Sequence, residues 1–416
     1  MSTTITTCRA CGAKDLEPVL SLGKTPLANA LLSAEDLAKP EPAFPLELVF
    51  CASCTLVQIT EEVPPETMFG EYLYFSSFSD TMLRHAEAIA TRLTKEQALG
   101  PQSLVVEVAS NDGYLLQYYA KAGVPVLGVE PARNIADVAE QKGIRTLCRF
   151  FGKEIAAELR ERGELADVIH ANNVLAHVPD LEGVVSGFGA LLKDEAPGRK
   201  GGVAVIEAPY VKDLVDHCEF DTIYHEHLCY FSLTALDRLT ARHGLVIHDV
   251  ERLAIHGGSL RVFVSKAGAY ERSARVTALL DEEKAIGVDR LPFYAGFASR
   301  VNGLKTELVS VLRDLKSKGA RIAAYGAAAK GATLLNFFGI GADLVDFVVD
   351  RSTYKQGRYM PGARIPILPP AALVEKKPDY CLLLAWNFAD EILAQQKEYR
   401  DGGGKFIVPI PNVRVA

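Results

Sequence analysis

The chain has 416 residues, of which 49% are hydrophobic and 23% charged, with a formal net charge of -7. That length supports two or three domains with large cores, and the acidic balance argues against nucleic-acid or membrane-surface partners, which call for a basic field. No apolar run approaches the roughly 20 residues of a membrane span, and the opening MSTTITTCRACG carries neither a basic nor an apolar signal region, so a cytoplasmic monomer is expected.

Four of the eight cysteines are organised as two CxxC pairs, Cys8/Cys11 and Cys51/Cys54. A CxxC turn aims two thiolates at one tetrahedral ion, and two such turns complete a four-thiolate zinc site. With four sulfur ligands no position stays open for substrate, so this metal holds the fold and does no chemistry. A reducing compartment disfavours disulfides here. Cys148, Cys218, Cys229 and Cys381 are scattered and read as small buried hydrophobes. Residues 1–75 form the zinc-binding module, with a short strand at 46–50 between proline-rich stretches. An aromatic and serine-rich connector, holding Tyr72 and Tyr74, leads into a helical pattern at 80–99.

Short apolar runs follow at 104–109, 124–129, 166–171 and 203–207, each separated by helix-like sequence. Such runs are those of buried parallel strands. The alternation predicts an α/β fold over 76–272, a doubly wound sheet with its ligand site at the carboxyl ends of the strands. Residues 273–416 begin with amphipathic helical patterns over 273–318. A strand-turn-helix at 321–338, with Gly326 and Lys330, and a strand at 344–350 ending in Asp350 then predict a smaller Rossmann-like domain.

The first strand-loop-helix junction reads Glu107-Val-Ala-Ser110-Asn111-Asp112-Gly113. A dinucleotide loop needs several glycines for close approach to a pyrophosphate. This one has a single glycine, and Asp112 repels phosphate but suits a cationic, amino-acid-like end. Glu130, at the tip of the next strand, is placed for both hydroxyls of a ribose. The combination points to S-adenosylmethionine. Asn172, Asn173 and His177, at the same sheet edge, offer amide and imidazole groups to that pocket.

The tetrapeptide Tyr224-His225-Glu226-His227 concentrates a phenol, two imidazoles and a carboxylate beside a hydrophobic run. Such groups are costly to bury unless paired, which makes them a candidate acid/base centre. An extended stretch sends Tyr224 and Glu226 to one face and His225 and His227 to the other, whereas a turn gathers three of the four.

Taken in order, the two CxxC pairs, EVASNDGYLL, GVEPARN, ANNVLAHVPD, YHEHLCYFS and HGGSLRV resemble the nucleotide-sugar C-methyltransferases along essentially the whole chain. More narrowly they are similar to the C-3 methyltransferases that build branched deoxysugars for antibiotics. The resemblance implies a class I methyltransferase sheet and adds Pro131, Asn134 and Tyr74 to the cofactor set. Where the family usually has glycine this chain has Ala109, which is tolerated if φ there stays negative.

The implied substrate is a thymidine-diphosphate-linked 4-keto-2,6-dideoxy sugar, often 3-amino. Its C-3 proton, acidified by the ketone, needs a base near neutral pKa. The resemblance gives that role to His227, an oxyanion or proton-sharing role to Tyr224, an orienting or sugar-holding role to Glu226, and support to His225. Tyr72, His256, Ser259, Arg261 and Lys330 are the candidate substrate contacts, the turn at Gly257-Gly258 and Arg261 facing the diphosphate. The rival readings are a nucleotide-sugar oxidoreductase using Gly326 and Asp350, an N- or O-methyltransferase, a zinc-ribbon nucleic-acid module, and a metal site at His225, Glu226 and His227.

Overall fold

The computed structural model describes residues 2–64 and 76–416. Near the amino end, β1 (Leu16–Thr25), β2 (Phe44–Cys51) and β3 (Val57–Ile59) pair antiparallel. Alternation along β2 sends Leu46, Leu48 and Phe50 into the core.

The central sheet is built on β4 (Val105–Val108), β5 (Val126–Val129), β6 (Thr146–Leu147), β7 (Val168–Asn172) and β8 (Val203–Pro209), all parallel. The next strand, β9 (Cys229–Tyr230), leaves this sheet and pairs with β3 of the amino-terminal one, Cys229 opposite Gln58. The chain then returns as an antiparallel hairpin, β10 (Leu245–Leu253) and β11 (Ser259–Lys266), giving the order β10-β11-β8-β7-β4-β5-β6. Growth reverses between β4 and β7, and a crevice at the carboxyl ends of strands at such a reversal is where open α/β sheets bind ligands.

The two-residue period sorts this sheet's side chains. Val106, Val108, Leu127, Val129 and Ile169 join a core shared with the amino-terminal sheet, while Val105, Val168, Val203 and Val205 pack on Met82, Ala86, Ile89 and Leu93 of α1 (Asp80–Glu96). Helix α1 starts at Ser79, whose side chain accepts from the Met82 amide. Glu107, His170, Asn172 and Glu207 share the parity of the α1 face, so a row of polar groups crosses it near the strands' carboxyl ends.

The pattern over 273–318 forms two helices, Ala274–Ile286 and Phe297–Ser317. Gly287, left-handed at φ +83°, caps the first, and a 3-10 turn containing Pro292 separates them. A third sheet follows, with β12 (Ile322–Tyr325), β13 (Phe347–Val349), β14 (Ile367–Leu368), β15 (Tyr380–Leu383), β16 (Lys405–Val408) and β17 (Arg414–Val415). Its order is β14-β13-β12-β15-β16-β17, parallel except for β17. Gly326 lets the chain leave β12 at φ +101°, where a Cβ would lie 2.8 Å from that of Ala385. Among the described residues no helix is long and apolar enough to cross a membrane.

One backbone expectation is corrected. Ala109 has φ +50°, not a negative value, and Asn111 and Gly113 are left-handed too. The loop coils this tightly in bringing the Asn111 amide to 2.9 Å from Glu130 Oε2.

Candidate active site at the junction of three sheets

The four thiols of Cys8, Cys11, Cys51 and Cys54 lie within 4.8 Å of one another, all unbridged. The separations of 3.5 Å (Cys8–Cys54) and 3.6 Å (Cys11–Cys51) are close to the edge of a tetrahedron with zinc–sulfur bonds of about 2.3 Å. Among the described residues this is the only group with such spacing, so His225, Glu226 and His227 gather no second metal site. The cluster is wired to β3: the Arg9 amide donates to Gln58 Oε1 and the Arg9 guanidinium donates to the Ile59 carbonyl. Since β3 pairs with β9, the zinc cluster fixes the strand that follows the Tyr-His-Glu-His segment.

At the central crevice the donor set suits a polar ligand without phosphate. Glu107 Oε2, Ser110 Oγ and Asn172 Oδ1 are buried without hydrogen-bond partners. Burial, followed by repulsion from Glu130, Asp112 and Glu207, pushes the Glu107 carboxyl well above the usual range. The Glu130 carboxylate accepts the amides of Asn111 and Ala132, at 2.9 and 2.8 Å, which aims it along the loop and leaves lone pairs on both oxygens. Pro131 is half-buried with its carbonyl against the Cys148 thiol, Asn134 is exposed on the helix Arg133–Gln141, and Asn173 is left-handed with its amide on the Glu207 carbonyl. Gly113 sits where a Cβ would come 2.9 Å from Ile144. Asp112 departs from expectation. Lys142 Nζ pairs with its carboxylate at 2.8 Å and Ser77 donates to the same oxygen, so its charge is balanced inside the protein. Tyr72 and Tyr74 lie outside the described residues.

The Tyr-His-Glu-His segment is a turn, closed by the His227 amide on the Tyr224 carbonyl at 2.8 Å, so the extended alternative falls. The turn pairs the end residues: Tyr224 Oη is 2.9 Å from His227 Nε2, and the rings are 4.1 Å apart. His227 Nδ1 lies 2.8 Å from the Thr222 carbonyl. His177, on a 3-10 turn after β7, sets its ring edge-on to His227 at 4.8 Å, and burial lowers its pKa to about 4. The inner residues face the amino-terminal module instead. His225 Nε2 reaches the Pro45 carbonyl at 3.0 Å, and Glu226 Oε1 accepts from Asn29 Nδ2 at 2.7 Å. Burial pushes the Glu226 carboxyl up to about 7.

Three substrate expectations meet a different arrangement. Arg261 is buried on β11, donating to Glu207 at 2.7 Å and Glu251 at 3.1 Å and lying 3.0 Å from His85 Nε2, so its guanidinium is spent inside the fold. Ser259 is buried and donates to the Ile255 carbonyl. His256 lies in the same 3-10 turn, where the Glu219 and Asp213 carboxylates occupy the space in which side chains at Gly257 and Gly258 would stand. This acidic surrounding opposes a diphosphate. Lys330, in the first turn of Ala329–Phe338, places its buried Nζ 4.7 Å from the Trp386 ring centre without a hydrogen-bond partner.

Sequence reasoning missed Asn29, Thr222, Asp221 and Trp386. Asp221 is fully buried just before the turn and accepts from Trp386 Nε1 at 2.7 Å, which docks the carboxy-terminal sheet against it. Burial raises its carboxyl to about 7 against the field of Lys330. No local motif marks these residues, because their partners are distant in sequence.

Comparison with known proteins gives the family of the chain. Three family descriptions match in succession: a zinc binding domain over residues 8–69, a methyltransferase domain over 82–250 and a C-methyltransferase C-terminal domain over 254–411. The chain is 39% identical over 409 residues to C-methyltransferase NovU of Streptomyces niveus, covering 98% of this chain and 96% of that one. Solved structures similar to it include magnesium protoporphyrin IX methyltransferase of Synechocystis with bound S-adenosylmethionine, at 14% identity, 49% of this chain, 89% of that chain and a TM-score of 0.34. Another is an S-adenosylmethionine-dependent methyltransferase of Clostridium acetobutylicum, at 11% identity, 49% of this chain, 96% of that chain and a TM-score of 0.34. With a four-cysteine zinc module ahead of a class I methyltransferase sheet, the chain belongs to the S-adenosylmethionine-dependent C-methyltransferase family.

Proposed function

We propose that this C-methyltransferase adds a methyl group to C-3 of a thymidine-diphosphate-linked 4-keto-2,6-dideoxy sugar, a 3-amino sugar foremost, in antibiotic deoxysugar biosynthesis, with His227 as the base. The observation that carries the reading is how His227 is held. A backbone carbonyl only accepts, so the Thr222 contact requires the hydrogen on Nδ1, and Nε2 presents a lone pair toward the Tyr224 hydroxyl. That lone pair takes the C-3 proton, and Tyr224 either passes the proton on or donates to the oxyanion forming at C-4.

When bound, S-adenosylmethionine supplies the electrophilic methyl group. Glu107, Ser110, Asn111, Gly113, Glu130 and Asn172 would hold it at the carboxyl ends of β4, β5 and β7, with Pro131, Asn134, Asn173 and His177 around them. In this division of labour residues 1–75 brace the turn, 76–272 hold the donor and 273–416 help to hold the sugar nucleotide, with Lys330, whose field acts on Asp221 just before the turn, as its candidate cation. Incubation with donor and keto-sugar nucleotide should give a product heavier by one methylene, its new methyl on carbon by NMR. A methyl on oxygen or nitrogen would refute the proposal.

A further inference from the structure

Glu226 is 7% exposed, and Asn29 of the amino-terminal module is the one described side chain that hydrogen-bonds its carboxyl. Asn29 itself is an exposed residue, and its side-chain amide donates to the Glu226 carboxyl at 2.7 Å. The loop that bears it is anchored on both sides. The Ala30 amide bonds the Leu27 carbonyl and the Leu31 amide that of Asn29, which closes the turn. Three residues on, Leu32 forms a bridge to Tyr359 of the carboxy-terminal region. On the same side Arg364 donates to Glu41 and to the carbonyls of Leu37 and Lys39. An exposed, tethered asparagine that reaches a buried carboxyl is an odd arrangement for scaffolding alone, because a surface loop gains little from binding a costly buried charge.

We propose that Asn29 is a positioning residue of the active site: it donates to Glu226, favours the charged form of that group, and makes the zinc module part of the surface that recognises a hydrogen-bond-donating substituent, ammonium or hydroxyl, on the sugar. This rests on the sugar-methylation reading for the identity of the ligand but not for the state of Glu226. A carboxylate offers only acceptors, so it selects a donor group, whereas a neutral carboxyl would also accommodate a carbonyl. The titratable side chains around Glu226 are Tyr224, His225 and His227 of its own turn and His177, which reaches the Glu226 backbone; no described cation pairs with it. Asn29 is therefore the group that favours the charged form against burial.

The test follows the Glu226 carboxyl by difference infrared spectroscopy against Glu226→Gln, in zinc-loaded full-length protein. Asn29→Ala should raise the titration midpoint by about one unit, since a donor to the charged form is lost. Asn29→Asp, which keeps the shape and adds a like charge, should raise it further. With keto-sugar nucleotide, the acidic limb of the kcat profile should move in the same direction while the KM for S-adenosylmethionine stays put. An unmoved midpoint in both variants would overturn the proposal, as would equal activity losses with superimposable pH profiles. The infrared reading needs no substrate, so a moved midpoint in protein that does not methylate the sugar would fault the substrate assignment and not the role of Asn29.

Discussion

The Tyr224 hydroxyl and His227 Nε2 stand 2.9 Å apart, and the Thr222 carbonyl fixes the far side of the imidazole at 2.8 Å. The two side chains form one proton-transfer unit, so His227→Asn should lower kcat about a thousandfold and Tyr224→Phe about a hundredfold. S-adenosylmethionine affinity should stay near wild type in both. The double variant should lose less than the product of the single losses, because each single change already disables the shared unit. Steady-state kinetics with isothermal titration of the donor checks this. Independent, fully additive losses would contradict it.

The zinc cluster acts on chemistry only through structure. Arg9 and β3 link it to β9, and β9 begins two residues after His227. Cys54→Ser, or stripping with a chelator, should therefore remove the metal and most turnover together. The α1 face of the central sheet has a core separate from the one shared with the zinc module, so donor binding should fall less than turnover. Metal analysis, turnover and donor titration on one sample decide the matter. Full activity in zinc-free protein would break the proposed linkage.

Glu226 and Asp221 make stability depend on pH. Burial lifts both carboxyls to about 7 in the folded protein, from ordinary values of 4.5 and 3.8. The folded state thus holds protons that the unfolded state releases. Its advantage is complete below the ordinary values and is lost as pH rises through 7, at most about 3 kcal/mol for Glu226 and about 4 kcal/mol for Asp221. Glu226→Gln and Asp221→Asn should lose less Tm than wild type between about pH 5 and about pH 8. Parallel melting curves would count against these burial effects.

Ala109 holds φ +50°, which costs a residue bearing a Cβ about 1 kcal/mol relative to glycine. Ala109→Gly should leave the loop in place and raise stability, by an amount reduced by glycine's greater freedom in the unfolded chain. Chemical denaturation reads the change. A clear destabilisation would mean that the methyl group's packing outweighs the backbone strain.

Much of the architecture was legible because its signals are local. Paired CxxC turns, apolar runs of strand length and the single-glycine loop each state their physics within a few residues. The path of the Tyr-His-Glu-His segment was not, since nothing in the tetrapeptide chooses between strand and turn. The pairing of β9 with β3 and the Thr222 carbonyl make that choice. Asn29 lies 197 residues from Glu226 and Trp386 lies 165 from Asp221, distances over which spacing carries no information. Arg261 misled for a related reason. In the sequence it follows a glycine turn, but the sheet register sets it opposite Glu207, which claims it.

The central claim is that His227 removes a carbon-bound proton, and isotope exchange tests it most directly. The keto-sugar nucleotide incubated with enzyme in deuterium oxide, with S-adenosylhomocysteine in place of the methyl donor, should take up deuterium at C-3 as followed by NMR. His227→Asn should abolish that uptake. Exchange that persists in His227→Asn, or a wild-type enzyme that methylates the sugar without ever exchanging this position, would contradict the account.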